Sequence, residues 1–113
     1  PNILIMAVEP KNSPLLSIGR AGSHGLQGIG ANFIPKILDR SILDEIITID
    51  EEEAYSKAKS LGNKEGILCG ISSGANVAAA IKVAKNLGKG KTIVTILPDT
   101  GERYLSTDLF NGE

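Results

Sequence analysis

Three short apolar runs constrain this chain most strongly: Ile3 to Val8, Ile46 to Ile49, and Thr92 to Leu97. Ile3 to Val8 is continuous rather than alternating, closes at Glu9 and Pro10, and so reads as a fully buried strand of the parallel type. Thr92 to Leu97 is apolar and β-branched and stops at Pro98, which predicts another strand. Between the second and third runs, Asp50 stands as an N-cap before Glu51, Glu52 and Glu53, acids that offset a helix dipole. Ala54, Ala58 and Leu61 share one face of the helix that follows, predicted over 51–62 and ending at Gly62. A second helix is predicted from about Gly74 to Leu87, with Ser72 or Ser73 as its cap and Gly88 beyond it. It is apolar on more than one side, which predicts burial against a sheet. Strands alternating with helices give an α/β chain with a partial three-layer open sheet, and such sheets collect ligands at the carboxyl ends of their strands.

At 113 residues the chain suffices for one ordinary domain but not for the two-domain plan of most cofactor enzymes. A net charge of −1 supplies no general field for nucleic acid or an anionic membrane. The lone Cys69 excludes an internal disulfide, and with His24 as the single histidine no zinc-type ligand cluster exists. This composition suits a reducing, cytoplasmic setting. The first residues read neither as a signal peptide nor as a membrane span, so no membrane partner is expected. Cys69, between Leu68 and Gly70, reads as a buried, inert thiol. Of the 13 glycines, five lie between Gly19 and Gly30, in a stretch without periodicity. A loop of that length is functional or disordered, and its glycines let backbone approach a partner closely. The stretch 28–35 reads as a short helical turn, and His24 is expected to be exposed.

Gly70-Ile71-Ser72-Ser73-Gly74 fits the G-x-S-x-G turn of serine hydrolases, but that order of residues needs a histidine after the serine. His24 precedes it, so the pattern points elsewhere: to a simple helix cap, or to a hydroxyl and free amides that meet a ligand atom. Gly25 to Gly30 fails as a dinucleotide fingerprint because Phe33 occupies the place of the third glycine, and no phosphate-binding P-loop is present. Glu51 to Glu53 is a helix start rather than a metal or catalytic cluster.

Taken together, Gly28-Ile29-Gly30-Ala31 with Phe33-Ile34-Pro35, Glu65-Gly66-Ile67-Leu68, Gly70-Ile71-Ser72-Ser73-Gly74-Ala75, and Leu97-Pro98-Asp99-Thr100-Gly101-Glu102-Arg103-Tyr104-Leu105-Ser106-Thr107 resemble the cysteine synthase (O-acetylserine sulfhydrylase) family of fold-type II pyridoxal-phosphate enzymes. The resemblance implies a β-replacement in which O-acetylserine and sulfide yield cysteine and acetate, with the cofactor as electron sink. It implies that Ser72 holds the pyridine nitrogen, that Pro98 and Asp99 wall the ring, and that Gly28, Ile29 and Gly30 border the substrate side. Relatives often carry serine at the place of Asp99.

The family's Schiff-base lysine in Ser-x-Lys-x-Arg, its Thr/Ser-Gly-Asn substrate loop and its Gly-Thr-Gly-Gly-Thr phosphate cradle find no counterpart in this sequence. Residues 1–113 therefore resemble the C-terminal portion of the large cofactor-binding domain, without an N-terminal domain or catalytic lysine. Such a fragment of a homodimeric enzyme is expected to be inactive alone. Two further readings accompany this one. The first is a non-catalytic module that docks a serine acetyltransferase C-terminal peptide at the rim formed by 22–28 and His24. The second is an enzyme of the cystathionine β-synthase kind.

Overall fold

A computed structural model describes residues 3–26 and 28–98 of the chain. Strand β1 (Met6–Pro10) and strand β2 (Glu45–Ile49) run parallel, in a register that sets Met6 beside Glu45 and Pro10 beside Ile49. Parallel neighbours need a long crossover. Here it contains one helical turn, α1 (Leu15–Ile18), and a short 3-10 turn at Arg40–Ile42. Helices α2 (Glu51–Glu65) and α3 (Ile71–Leu87) follow.

The first strand begins and ends later than its apolar run suggests. Ile3, Leu4 and Ile5 are exposed rather than buried: the strand pairing begins at Met6 and Glu45, preceded by one bond from Asp44 N to Ile5 O at 2.7 Å. At the other end, Lys11 N donates to Ile49 O at 2.9 Å, so the pairing passes through Pro10 without needing the amide that proline lacks. The predicted strand over 92–97 is not formed. That segment has no ladder, and Val94 is 86% exposed; β-branched residues make a strand only where another strand supplies hydrogen bonds.

The α2 start agrees with the sequence reading: Glu53 Oε1 accepts from Asp50 N at 3.5 Å in a capping box, below three first-turn acids. Its end does not. Gly62 sits within the helix, which continues to Glu65 and closes at Gly66 with φ +69°. Only a left-handed residue lets the chain turn off there, and Gly62 is not one. In α3 the cap is Gly70, which places Ser72 and Ser73 inside the first turn instead of at the cap. The crossover also contains order the sequence did not show: α1 is closed by the left-handed Gly19. No helix forms over 28–35.

The core is built from small residues. Leu26, Ile49, Ala54, Ala58, Cys69, Ile71, Ala75, Ala78 and Ala79 are all buried. Helix α3 packs chiefly on α2 and only secondarily on the sheet. The reason is Gly74, where a Cβ would stand 2.0 Å from Ala54 O and 2.9 Å from Ala58 N. Backbone meets backbone at that crossing. Lys82 Nζ and Glu53 Oε2, 3.1 Å apart and both partly exposed, tie the same two helices at the surface.

Candidate active site

Parallel strands deliver their carboxyl ends to one side of the sheet, and the loop after β1 gathers there. Glu9, only 4% exposed, turns its carboxylate onto the start of α1, accepting from Leu16 N at 2.8 Å, Ser17 N at 2.9 Å and the Ser17 hydroxyl. A buried carboxylate is tolerated when such donors surround it. Ser13, 1% exposed, closes the next loop at its base: its hydroxyl donates to Asn32 Oδ1 at 2.6 Å and accepts from Gly22 N at 3.1 Å. Asn32 takes φ +64° to meet it, a conformation asparagine tolerates better than most residues.

Within this closed loop, His24 Nε2 lies 2.7 Å from Gly30 O, and Leu26 N donates to His24 Nδ1 at 3.1 Å. His24 is thus half-buried and engaged on both nitrogens, not exposed as expected, because the loop folds back on itself. Leu26 anchors the loop in the core, and Glu51 of α2 accepts from Gly25 N. Tyr55 OH donates to Gly25 O at 3.4 Å. The acidic helix start therefore also holds this loop.

The loop brings two of the candidate sets together. A Cβ on Gly28, which has φ +97°, would stand 3.4 Å from Ser72 Oγ. Gly28 itself is exposed, while Ser72 is 2% exposed at the second position of α3. Ile29, beside it, packs on the core. At the third position, Ser73 Oγ is buried without a hydrogen-bond partner. The amides of the first turn have no intrahelical acceptor, so this corner presents donors and a partial positive charge. A glycine of the loop thus lies against one hydroxyl at the helix start, beside a second hydroxyl that has no partner.

The other candidates are placed differently. Pro98 is exposed at the end of the unpaired segment, whose nearest tie is Asn76 Nδ2 donating to Ile96 O at 2.9 Å. Asn76 is four residues beyond Ser72, so this tie lies one helical turn from the hydroxyl corner. Asp99 lies outside the described residues. Cys69 is 1% exposed, and desolvation pushes its thiol pKa up, as expected of an inert core cysteine. Among the described residues no cluster of histidine, cysteine and acids could hold a metal, and no helix is long and apolar enough to cross a membrane. The sequence marks 9–14 as a strand end and Glu51 as a helix start, but not the bonds by which Glu9, Ser13, Glu51 and Asn76 hold these loops, which no local motif encodes.

Known proteins resemble this chain over nearly its whole length. The chain is 60% identical over 106 residues to cysteine synthase B of Campylobacter jejuni, covering 94% of this chain and 35% of that protein. It is 55% identical over 111 residues to a Staphylococcus aureus cysteine synthase, covering 98% of this chain and 36% of that one. The solved cysteine synthase of Entamoeba histolytica superposes with a TM-score of 0.94 at 48% identity, over 98% of this chain and 33% of the other. The chain thus spans about a third of the length of these relatives. The family described as pyridoxal-phosphate dependent enzyme matches residues 1–99, and with these relatives and this fold the chain belongs to that family.

Proposed function

We propose that this chain forms the serine-bearing wall of a pyridoxal-phosphate cleft in an enzyme that converts O-acetylserine and sulfide to cysteine and acetate. The observation that carries the reading is the junction of Gly28 with Ser72 at the start of α3. Pyridoxal phosphate, when bound, supplies the electron sink for removing the acetate leaving group. The Ser72 hydroxyl would hold the ring nitrogen by donating one hydrogen bond to it. Being neutral and set at the positive end of a helix, it gives a protonated ring no counter-charge, unlike a carboxylate. That restraint favours β-elimination and replacement over transamination. Gly28, Ile29 and Gly30 border the substrate side, where the lack of side chains on the glycines leaves room for a small amino acid. By the family resemblance, Pro98 and Asp99 would be the residues beside the ring.

The lysine that forms the covalent link to the cofactor belongs to a segment outside these 113 residues, and residues 1–113 are the C-terminal portion of the cofactor domain. The family match and the third-length coverage of the relatives support this division. Exposed Ile3, Leu4, Val94 and Ile96 favour burial by further polypeptide and a second copy, as in a cytoplasmic homodimer. The loop carrying His24 borders the cleft, which suits it to receive a serine acetyltransferase C-terminal peptide.

The test is Ser72→Ala and Ser72→Asp in the enzyme that carries this chain. Ser72→Ala is expected to bind cofactor but to slow cysteine formation, and Ser72→Asp to shift the cofactor absorbance as the ring becomes protonated. Unchanged rates and spectra in both variants would remove Ser72 from the site. The 113-residue chain alone is expected to form no borohydride-trapped cofactor adduct by mass spectrometry and no cysteine.

A further inference from the structure

In the loop that faces Ser72, one imidazole links the chain on both sides of Gly28, beside the core contacts of Leu26 and Ile29 and a bond from Ile29 N to Leu26 O at 3.4 Å. Because Leu26 N donates to His24 Nδ1, that nitrogen carries no proton, and the ring's proton sits on Nε2, where it is donated to Gly30 O. The two bonds span the segment that contains Gly28 and Ile29. The fit is close: a Cβ on Gly30 would stand 2.5 Å from His24 Nε2 and 2.6 Å from Pro10 Cγ. Gly30 is thus close to both the ring and the end of β1. Protonation at Nδ1 would set two donors against each other and eject the Leu26 amide.

Other charged groups nearby are already committed. Glu51 of α2 accepts from Gly25 N, and Tyr55 of α2 donates to Gly25 O. Glu9 of β1 is taken by Leu16 and Ser17, while Lys11 acts on Glu53. None of these holds the 26–30 segment in place of His24.

We propose that His24, neutral and protonated on Nε2, is the positioning residue that sets the Gly28–Gly30 loop against Ser72, and that its protonation releases the loop and weakens binding on the substrate side. This rests on the reading of that loop as the substrate border. The first measurement does not depend on that reading. With one histidine in the chain, ¹⁵N-histidine labelling gives a single imidazole, expected to show a pyridine-like Nδ1 and a pyrrole-like Nε2. A solution-like mixture of tautomers would overturn the proposal.

The second measurement uses the complete enzyme carrying this chain. His24→Phe keeps a ring but loses both bonds, and is expected to raise KM for the amino-acid substrate by about tenfold or more, from two lost hydrogen bonds, with kcat little changed. The acid limb of its kcat/KM profile should flatten. His24→Asn, whose side-chain oxygen can accept from Leu26 N, should recover most of the affinity but not the pH dependence. Unaltered KM and pH profile in His24→Phe refute the role. Ser72→Ala is the control: if it too leaves the cofactor spectrum and rate intact, the cofactor reading fails, and the imidazole spectrum alone decides whether His24 holds the loop. Should His24→Phe not fold, the wild-type tautomer and acid limb still decide.

Discussion

Gly74 offers the sharpest test of how the two helices meet. In an exposed helix, Gly→Ala stabilises by about 1 kcal/mol because alanine loses less conformational freedom. Gly74 is not exposed: its added Cβ would lie 2.0 Å from Ala54 O and 2.9 Å from Ala58 N. A carbon and a carbonyl oxygen need about 3.3–3.6 Å even in a close C–H···O contact, so the helices must part by more than an ångström. Both listeners to that strain are backbone atoms of α2, which cannot rotate away as a side chain would. Overpacking in a core typically costs about 1–3 kcal/mol, and a contact this short belongs at the upper end. After the propensity gain, Gly74→Ala is expected to lose about 2 kcal/mol, which lowers Tm by very roughly 10 °C in a domain of this size.

The matched control is Gly62→Ala in α2. There the new Cβ meets only Ile67 O at 3.9 Å, so the propensity gain should appear as about 1 kcal/mol of added stability. Urea and thermal unfolding followed by circular dichroism measure both. Opposite signs for one chemical change are the expected result. A Gly74→Ala variant as stable as the parent would refute close backbone packing as the reason α3 lies on α2.

Glu9→Gln keeps the shape of the buried side chain but places an amide among the donors of α1, and should cost about 1–3 kcal/mol, read as a lower urea midpoint. Ser73→Ala removes a buried hydroxyl that lacks a partner and is expected to be neutral or stabilising by up to about 1 kcal/mol; a clear loss would reveal a bond this structure does not show. Desolvation of Glu53 acts upward on its pKa, but the Lys82 hydrogen bond, the Asp50 amide and the charges of Lys82 and Lys11 together carry it below the ordinary carboxylate range. Its contribution is therefore complete above the unfolded pKa and lost as pH falls through the folded one, so Lys82→Ala should weaken the protein at neutral pH but not in acid. Cys69 runs the other way. Its thiol is raised by burial, so that contribution is complete below the unfolded thiol pKa and lost as pH rises toward the folded value; native protein should react with a thiol reagent far more slowly than urea-unfolded protein.

Much of this molecule is written locally in its sequence. Asp50 with Glu53 marks a helix start whatever lies around it, because capping and dipole effects act within one turn. The apolar runs at β1 and β2, the glycine-dense loop and the paired serines are local too, and they were enough to indicate an α/β chain and a family of cofactor enzymes. Tertiary structure decided the rest, for reasons of reach. Thr92 to Leu97 has the composition of a strand, yet ladder hydrogen bonds come from a neighbour, and none is described beside it. Gly62 and Gly66 look alike in sequence; only the backbone turn at φ +69° selects the second as the helix end. His24 reads as a loop histidine until the chain folds back to put Leu26 N and Gly30 O on its two nitrogens. The composition announced a backbone exposed for a purpose, and the fold supplied the partner, by bringing Gly28 to Ser72 across a separation that no local pattern spans.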